Sequence, residues 1–320
     1  MTNKADQFLP NQTLNVAIAF GAYAVAIAAL WFASHAQTWW AFALAVFVFS
    51  QVGNTIFGLL HESVHRAFSK NKSVNYWFGV VSAAFFPTSY TFQRTCHLGH
   101  HMRNRTDHEM FDMYYPDDNK FLKFSQFYSI LTGIYWLTIP LGCLLYLVFP
   151  QFYALLSWMR KRYPAIASTG AVMMEPFVNH PDQTRIRLEM LFAVLLHAGL
   201  FYALNLNAVA WLACYWVFGM FWGGLQYADH AWSERDIRSG AWNLKVNPIT
   251  RLIHLNYHHH KAHHMHPNVP WNHLPKFVDY NEYRPSFLRI WLKMWLGPTA
   301  TKKKLDLKPT SDFKRLVYEG

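Results

Sequence analysis

The chain has 320 residues, of which 52% are hydrophobic, 18% aromatic and only 15% charged, with a formal net charge of +11. So little charge over this length excludes an ordinary water-soluble globular protein and calls for an apolar solvent. The basic residues lie in loops between apolar runs and in the tail around Lys302, Lys303 and Lys304, a pattern that suits anionic lipid headgroups and cytoplasmic loops and excludes a groove-reading nucleic-acid surface.

Met1 to Thr13 is polar and has no strong basic cluster, so no cleavable signal is expected and the first span should stay. Leu14 to Ser34 and Trp39 to Leu60 lack Asp, Glu, Lys and Arg, and each suits the roughly 20 residues of one crossing. The polar piece His35 to Thr38 joins them into a first hairpin, 14–60. Region 61–126 opens on His61-Glu62-Ser63-Val64-His65. Residues four apart share a helix face, so both imidazoles can converge on one metal. Ser73 to Gln93 is uncharged and carries Pro87, which predicts a shallow or amphipathic element. His97-Leu98-Gly99-His100-His101 follows, and its spacings put three ligands within one and a half helical turns.

In region 127–187, the run Ser125 to Met159 has Lys120 and Lys123 before it and Arg160, Lys161 and Arg162 after it. Both ends should then be cytoplasmic, which predicts a bent, re-entrant or interfacial helical element broken near Pro140. Met190 to Ala228 would be ~58 Å long as one helix, nearly twice the ~30 Å hydrocarbon layer. A second hairpin, 188–228, is predicted, turning at Asn205-Leu206-Asn207, since asparagine favours chain reversal. Region 229–285 contains His254, His258, His259, His260, His263, His264 and His266, and 286–320 is a basic tail. The expected fold is a single all-α integral membrane unit: two transmembrane helical hairpins (four spans), re-entrant or interfacial helices, and a histidine-rich cytoplasmic cap.

Cys96, Cys143 and Cys214 form no CxxC pair, which argues against a disulfide framework and a zinc–thiolate site. The metal chemistry must come from the 18 histidines. Eight of them sit in the three clusters, more than one tetrahedral zinc could use, so two metal ions are implied. Neutral imidazole suits iron, zinc and copper alike. His35 and His197, alone near apolar runs, read as packed or interfacial side chains. His61 to His65 also fits the zinc-protease pattern, but that reading leaves the other two clusters without a role.

The three clusters, His61 to His65, His97 to His101 and His260 to His264, resemble the three histidine boxes of the membrane fatty acid desaturase and hydroxylase superfamily. Asn256-Tyr257-His258, His263-His264-Met265-His266-Pro267 and Val269-Pro270-Trp271 resemble the stretch around the third box in bacterial members. The resemblance covers roughly Thr55 to Pro275. It implies two iron ions cycling between Fe2+ and Fe3+ with dioxygen as co-substrate, ligated by His61, His65, His97, His100, His101, His260, His263 and His264. It further implies an additional histidine just after the last span, four residues beyond an amide. Here Gln226-Tyr227-Ala228-Asp229-His230 occupies that place, with His230 as the ninth ligand and Gln226 as a candidate water-mediated contact to iron. The third box has two extra residues between Tyr257 and His260, which leaves His258 or His259 as alternatives to His260; only His260 keeps the three-then-four spacing. His108, outside the boxes, is expected to play a structural part or to support a ligand and not to ligate metal itself. Carboxylates should orient the imidazoles, with Glu62, Asp107, Glu109, Asp112, Asp229 and Asp236 as candidates.

The activity implied is desaturation of a lipid or acyl substrate, with hydroxylation or oxidative fatty acid decarboxylation as alternatives and a membrane zinc protease as the alternative of another class. Trp216, Phe218, Gly219, Phe221, Trp222, Gly223 and Gly224 are candidates to line an acyl channel, against ordinary packing. No fused haem domain is expected, so electrons should come from a separate ferredoxin or rubredoxin with its reductase. The active site is expected on the cytoplasmic side of a bacterial inner membrane.

Overall fold

The computed structural model describes residues 8–152, 155, 158, 159, 162 and 177–308. In chain order these form α1 (Gln12–His35), α2 (Trp39–Val64), α3 (Lys72–Phe85), α4 (Tyr90–Arg103), β1 (Met113–Tyr114), α5 (Lys120–Leu131), α6 (Ile134–Val148), α7 (Gln183–Leu204), α8 (Ala208–Ala228), α9 (Pro248–Ile253), α10 (His260–Met265), a 3-10 turn at Leu274–Phe277, α11 (Phe287–Met294) and β2 (Thr299–Ala300). The two short strands pair in parallel, Met113 opposite Thr299 and Tyr114 opposite Ala300.

Four helices, α1, α2, α7 and α8, are long and apolar enough to cross a membrane. Asn11 and Thr38 cap α1 and α2, their side chains accepting from the backbone of Leu14 and Ala41, which satisfies amides that a helix start leaves unpaired. Helix α2 runs one turn past Leu60, so His61 lies within the helix and His65 caps it. Asn205, at φ 48°, ends α7, and the Asn207 side chain starts α8 by accepting from Val209 and Ala210, so the chain reverses at the predicted turn. Helix α7 begins at Gln183, ahead of the expected Met190, and takes in Arg185, Arg187 and Glu189. The most apolar window of α2 is 56% buried and that of α7 only 22%, which makes α2 a central span and leaves α7 a large outward face.

The stretch Ser73 to Gln93 divides into α3 and the start of α4 on either side of Pro87. The predicted break near Pro140 is not where the chain bends: α5 and α6 meet at 88° around Thr132 and Gly133, while Pro140 sits inside α6. Gly133 has φ 78°, and a Cβ there would lie 3.1 Å from the backbone nitrogen of Met220 and the carbonyl of Trp216. Only glycine fits so close to α8 in that conformation. The Trp216 indole donates to the Thr132 carbonyl at 2.9 Å and so closes the end of α5. Of the expected run to Met159 and its basic flank, residues 153, 154, 156, 157, 160 and 161 lie outside the described residues.

Helix α4 is anchored to α7 by a buried carboxylate. Glu189 accepts from the Ser89 hydroxyl at 2.6 Å, the Thr91 backbone amide at 2.8 Å, the Thr91 hydroxyl at 2.9 Å and the Tyr76 hydroxyl at 2.9 Å. A carboxylate at a helix N-terminus satisfies orphan amides and complements the dipole. Replacing it by leucine strands three buried donors, the Ser89 hydroxyl and the Thr91 amide and hydroxyl, each costing about 1–3 kcal/mol, and the half-buried Tyr76 hydroxyl. Glu189→Leu should therefore lower the melting temperature of the detergent-purified protein markedly, and Glu189→Gln by much less, as read by thermal unfolding.

Candidate metal centre

The C-terminal end of α2, the middle of α4, the residues after α8 and the short helix α10 meet at one place. His61, His65, His97, His101 and His263 form one group and His100, His230, His260 and His264 another, the ligand-type atoms of each lying within 4.8 Å of one another. All nine histidines expected from the sequence are therefore brought together. The second and third boxes are shared between groups: α4 gives His97 and His101 to the first and His100 to the second, while α10 gives His263 to the first and His260 and His264 to the second. Residues four apart point one way and the intervening residue is turned aside. Rings of the two groups touch where His101 meets His264, with centroids 4.2 Å apart. His260, and neither His258 nor His259, faces His230, their Nε2 atoms 3.0 Å apart. His258 and His259 lie tilted against each other, their ring centroids 3.9 Å apart, and, like His108, belong to neither group.

Burial, followed by repulsion from the charge a neighbouring ring would carry, holds His65, His97, His101, His230, His260, His263 and His264 well below the ordinary imidazole range. The rings are neutral and offer lone pairs. In the first group the Nε2 atoms form a chain, His65 to His97 at 2.8 Å, His97 to His101 at 3.1 Å and His101 to His263 at 3.0 Å. Each of these nitrogens carries either a proton or a lone pair, and His97 Nε2 and His101 Nε2, each facing two others, have only imidazole nitrogens as partners. His61 Nε2 and both ring nitrogens of His264 are buried without a partner. Convergent, unsatisfied, neutral nitrogens fit a metal cation at each group.

Second contacts hold these rings. Glu109 Oε2 lies 2.6 Å from His100 Nδ1, and its other oxygen lies 3.3 Å from Arg103 Nε. The Gly240 carbonyl lies 3.0 Å from His230 Nδ1, a partner that the sequence reading missed because a backbone carbonyl leaves no residue-type signal. Glu62 has one oxygen 3.9 Å from His61 Nδ1 and accepts from the Trp271 backbone amide at 3.0 Å with the other. The remaining carboxylate candidates contact none of the nine rings. Asp112 forms a buried pair with Arg105 at 2.7 Å and accepts from the Tyr227 hydroxyl at 2.8 Å and from the Trp232 backbone amide, tying the loop after α4 to the segment that carries His230. Asp107 pairs with Arg235 at 2.6 Å. Asp236 closes its own turn onto Arg238 and Ser239. Asp229 is fully buried with both oxygens unpartnered, and burial pushes its carboxyl well above the usual range.

A cavity of about 170 Å³ abuts both groups, with His97, His100 and His230 in its wall beside the polar Gln93, Asn104 and Glu109, and with apolar lining that includes Phe57, Phe92, Ile130, Tyr135 and Ile139. Of the seven candidate channel residues in α8, Trp222 and Gly223 line it. The others serve different ends: Trp216 caps α5, Phe218 packs on Gly53 and Gly219 on Trp136, Gly224 lies under Trp291, and Phe221 is exposed. Gly223 is needed there, because a Cβ would lie 2.4 Å from the Ile130 carbonyl. Gln226 also lines the cavity. Its Oε1 accepts from the Tyr257 hydroxyl at 2.6 Å, and its Nε2 is buried without a partner. Tyr257, missed as a site residue, sets its ring against His61 at 4.9 Å and His260 at 4.8 Å. His197 accepts from the Trp211 indole at 3.3 Å and lies 3.0 Å from the Ala84 carbonyl, in keeping with a packing role.

A family model described as fatty acid desaturase matches residues 37–295, and no curated protein matches the chain. The Glu109 contact generates a prediction. Losing a carboxylate that orients a ligating imidazole costs about 10–100-fold in metal affinity. Glu109→Gln should release metal from the four-histidine group about that much more readily in a chelator competition, while the five-histidine group holds its metal as in the wild type.

Proposed function

The chain belongs to the fatty acid desaturase family, and on that premise we propose that it is an oxygen-dependent fatty acyl desaturase working at two iron ions. His61, His65, His97, His101 and His263 would hold one ion, and His100, His230, His260 and His264 the other. The observation that carries this reading is the convergence of nine histidines, with no cysteine among them, into two adjoining groups beside a largely apolar cavity. Nine imidazoles exceed what a single zinc site uses. The zinc-protease alternative would also need Glu62 as a free general base, yet its carboxylate is engaged by the Trp271 amide.

When bound and reduced, the iron pair supplies an oxidant, made from dioxygen, that removes hydrogen from an unactivated methylene. The chain's own residues position the substrate and the ligands. Phe57, Phe92, Ile130, Tyr135, Ile139 and Trp222 surround an acyl segment and exclude water, while His97, His100 and His230 in the same wall keep that segment beside both groups. Glu109 and the Gly240 carbonyl fix the rings of His100 and His230.

The membrane arrangement follows from the same reading. Helices α1 and α2 form one hairpin and α7 and α8 the other, with the histidine cap on the cytoplasmic side as the flanking lysines and arginines favour. Electrons come from a separate ferredoxin or rubredoxin with its reductase, and an acidic carrier suits a chain of net charge +11.

The test is product analysis. Lipids from cells expressing the chain, analysed by mass spectrometry, should contain an acyl product short of two hydrogens, absent with His101→Ala. A product that gains one oxygen would reassign the chain to hydroxylation, and one that loses its carboxyl carbon to decarboxylation.

A further inference from the structure

We propose that Tyr257 is a positioning residue: its hydroxyl fixes the Gln226 amide so that the NH2 group faces the small ligand held at the metal pair. This rests on the two-metal reading above. The phenol has one proton, and it goes to Gln226 Oε1 at 2.6 Å. With the carbonyl end of the amide committed to Tyr257, the nitrogen end points away from it. That nitrogen is buried and has no partner in the protein. An amide turned the other way would set N–H against O–H and leave the phenol proton without an acceptor, so the hydrogen bond selects one orientation.

Three further facts point the free N–H group toward the reaction. Gln226 lies in the last turn of α8 and His230 in the turn that directly follows it. Both residues line the cavity together with His97 and His100. Tyr257 itself lies at the seam of the centre, its ring 4.9 Å from His61 of the five-histidine group and 4.8 Å from His260 of the four-histidine group. A buried donor left unpaired is unfavourable unless a ligand supplies an acceptor, and the acceptor available beside these histidines is an exogenous atom bound between them.

Azide, a small anion that binds iron and accepts hydrogen bonds, serves as the probe. Iron-loaded wild type, Tyr257→Phe, Gln226→Leu and the double variant are titrated with azide and followed by absorption, with iron content and melting temperature recorded for each. Tyr257→Phe should keep its iron and its melting temperature and bind azide about tenfold more weakly, a factor that corresponds to about 1.4 kcal/mol. Gln226→Leu should lose about the same factor. The double variant should lose no more than either single one, because both changes abolish one donor. Wild-type azide affinity in Tyr257→Phe, losses that multiply in the double variant, or iron lost from Tyr257→Phe would each overturn the proposal. A wild type that fails to load about two irons per chain would overturn the two-metal reading as well, and the iron measurement separates that failure from the others.

Discussion

Neutral imidazole nitrogens that crowd one another with no proton to share are stable only around a cation. In this chain, four stretches far apart in sequence, at the ends of α2 and α8 and within α4 and α10, bring nine such rings to one place. Seven of these rings, His65, His97, His101, His230, His260, His263 and His264, are kept neutral by burial and by their neighbours, because a charge on one would repel the rest. The protein therefore holds buried ring nitrogens, His61 Nε2 and both of His264 among them, that have no partner among the described residues. Metal binding should in consequence contribute to the stability of the fold as well as to its chemistry.

The polar framework around the centre opposes that crowding. Glu189 fixes the start of α4 against α7, and the Arg105–Asp112 pair with Tyr227 fixes the loop that leaves α4 against the segment carrying His230. Both are buried and well hydrogen-bonded, the condition under which buried charge is tolerated. Between these two anchors α4 presents His97 and His101 to one group and His100 to the other. The membrane spans thus act as a scaffold that delivers short helices, and the short helices deliver ligands.

The histidine boxes were legible in the sequence because ligand spacing of three and four residues is local. What the spacing did not reveal is that α4 and α10 each serve two groups, since that depends on where a partner helix stands. The turn at Asn205 to Asn207 was equally local and readable. The bend at Gly133 was not, because Pro140 is the stronger breaker by composition, and only the closeness of α8 demands glycine at 133. The carboxylate candidates divided by geometry: Glu109 reached His100, whereas Asp107 and Asp112 were taken by Arg235 and Arg105. Similarly, Trp216 and Phe218 look no different from Trp222 in sequence, and it is helix rotation that puts only the last beside the cavity. Gly240 and Tyr257 act through contacts made by the fold and carry no motif that spacing could expose.

The central claim is that two metal ions sit in all-nitrogen, imidazole-rich surroundings supplied by these nine histidines. X-ray absorption at the iron edge of the purified protein, combined with a metal count, tests it most directly. The account predicts about two irons per chain, surrounded by nitrogen or oxygen with the multiple-scattering pattern of imidazole, and loss of that pattern in proportion as the histidines are replaced. A single zinc per chain, or a sulfur shell around iron, would contradict it.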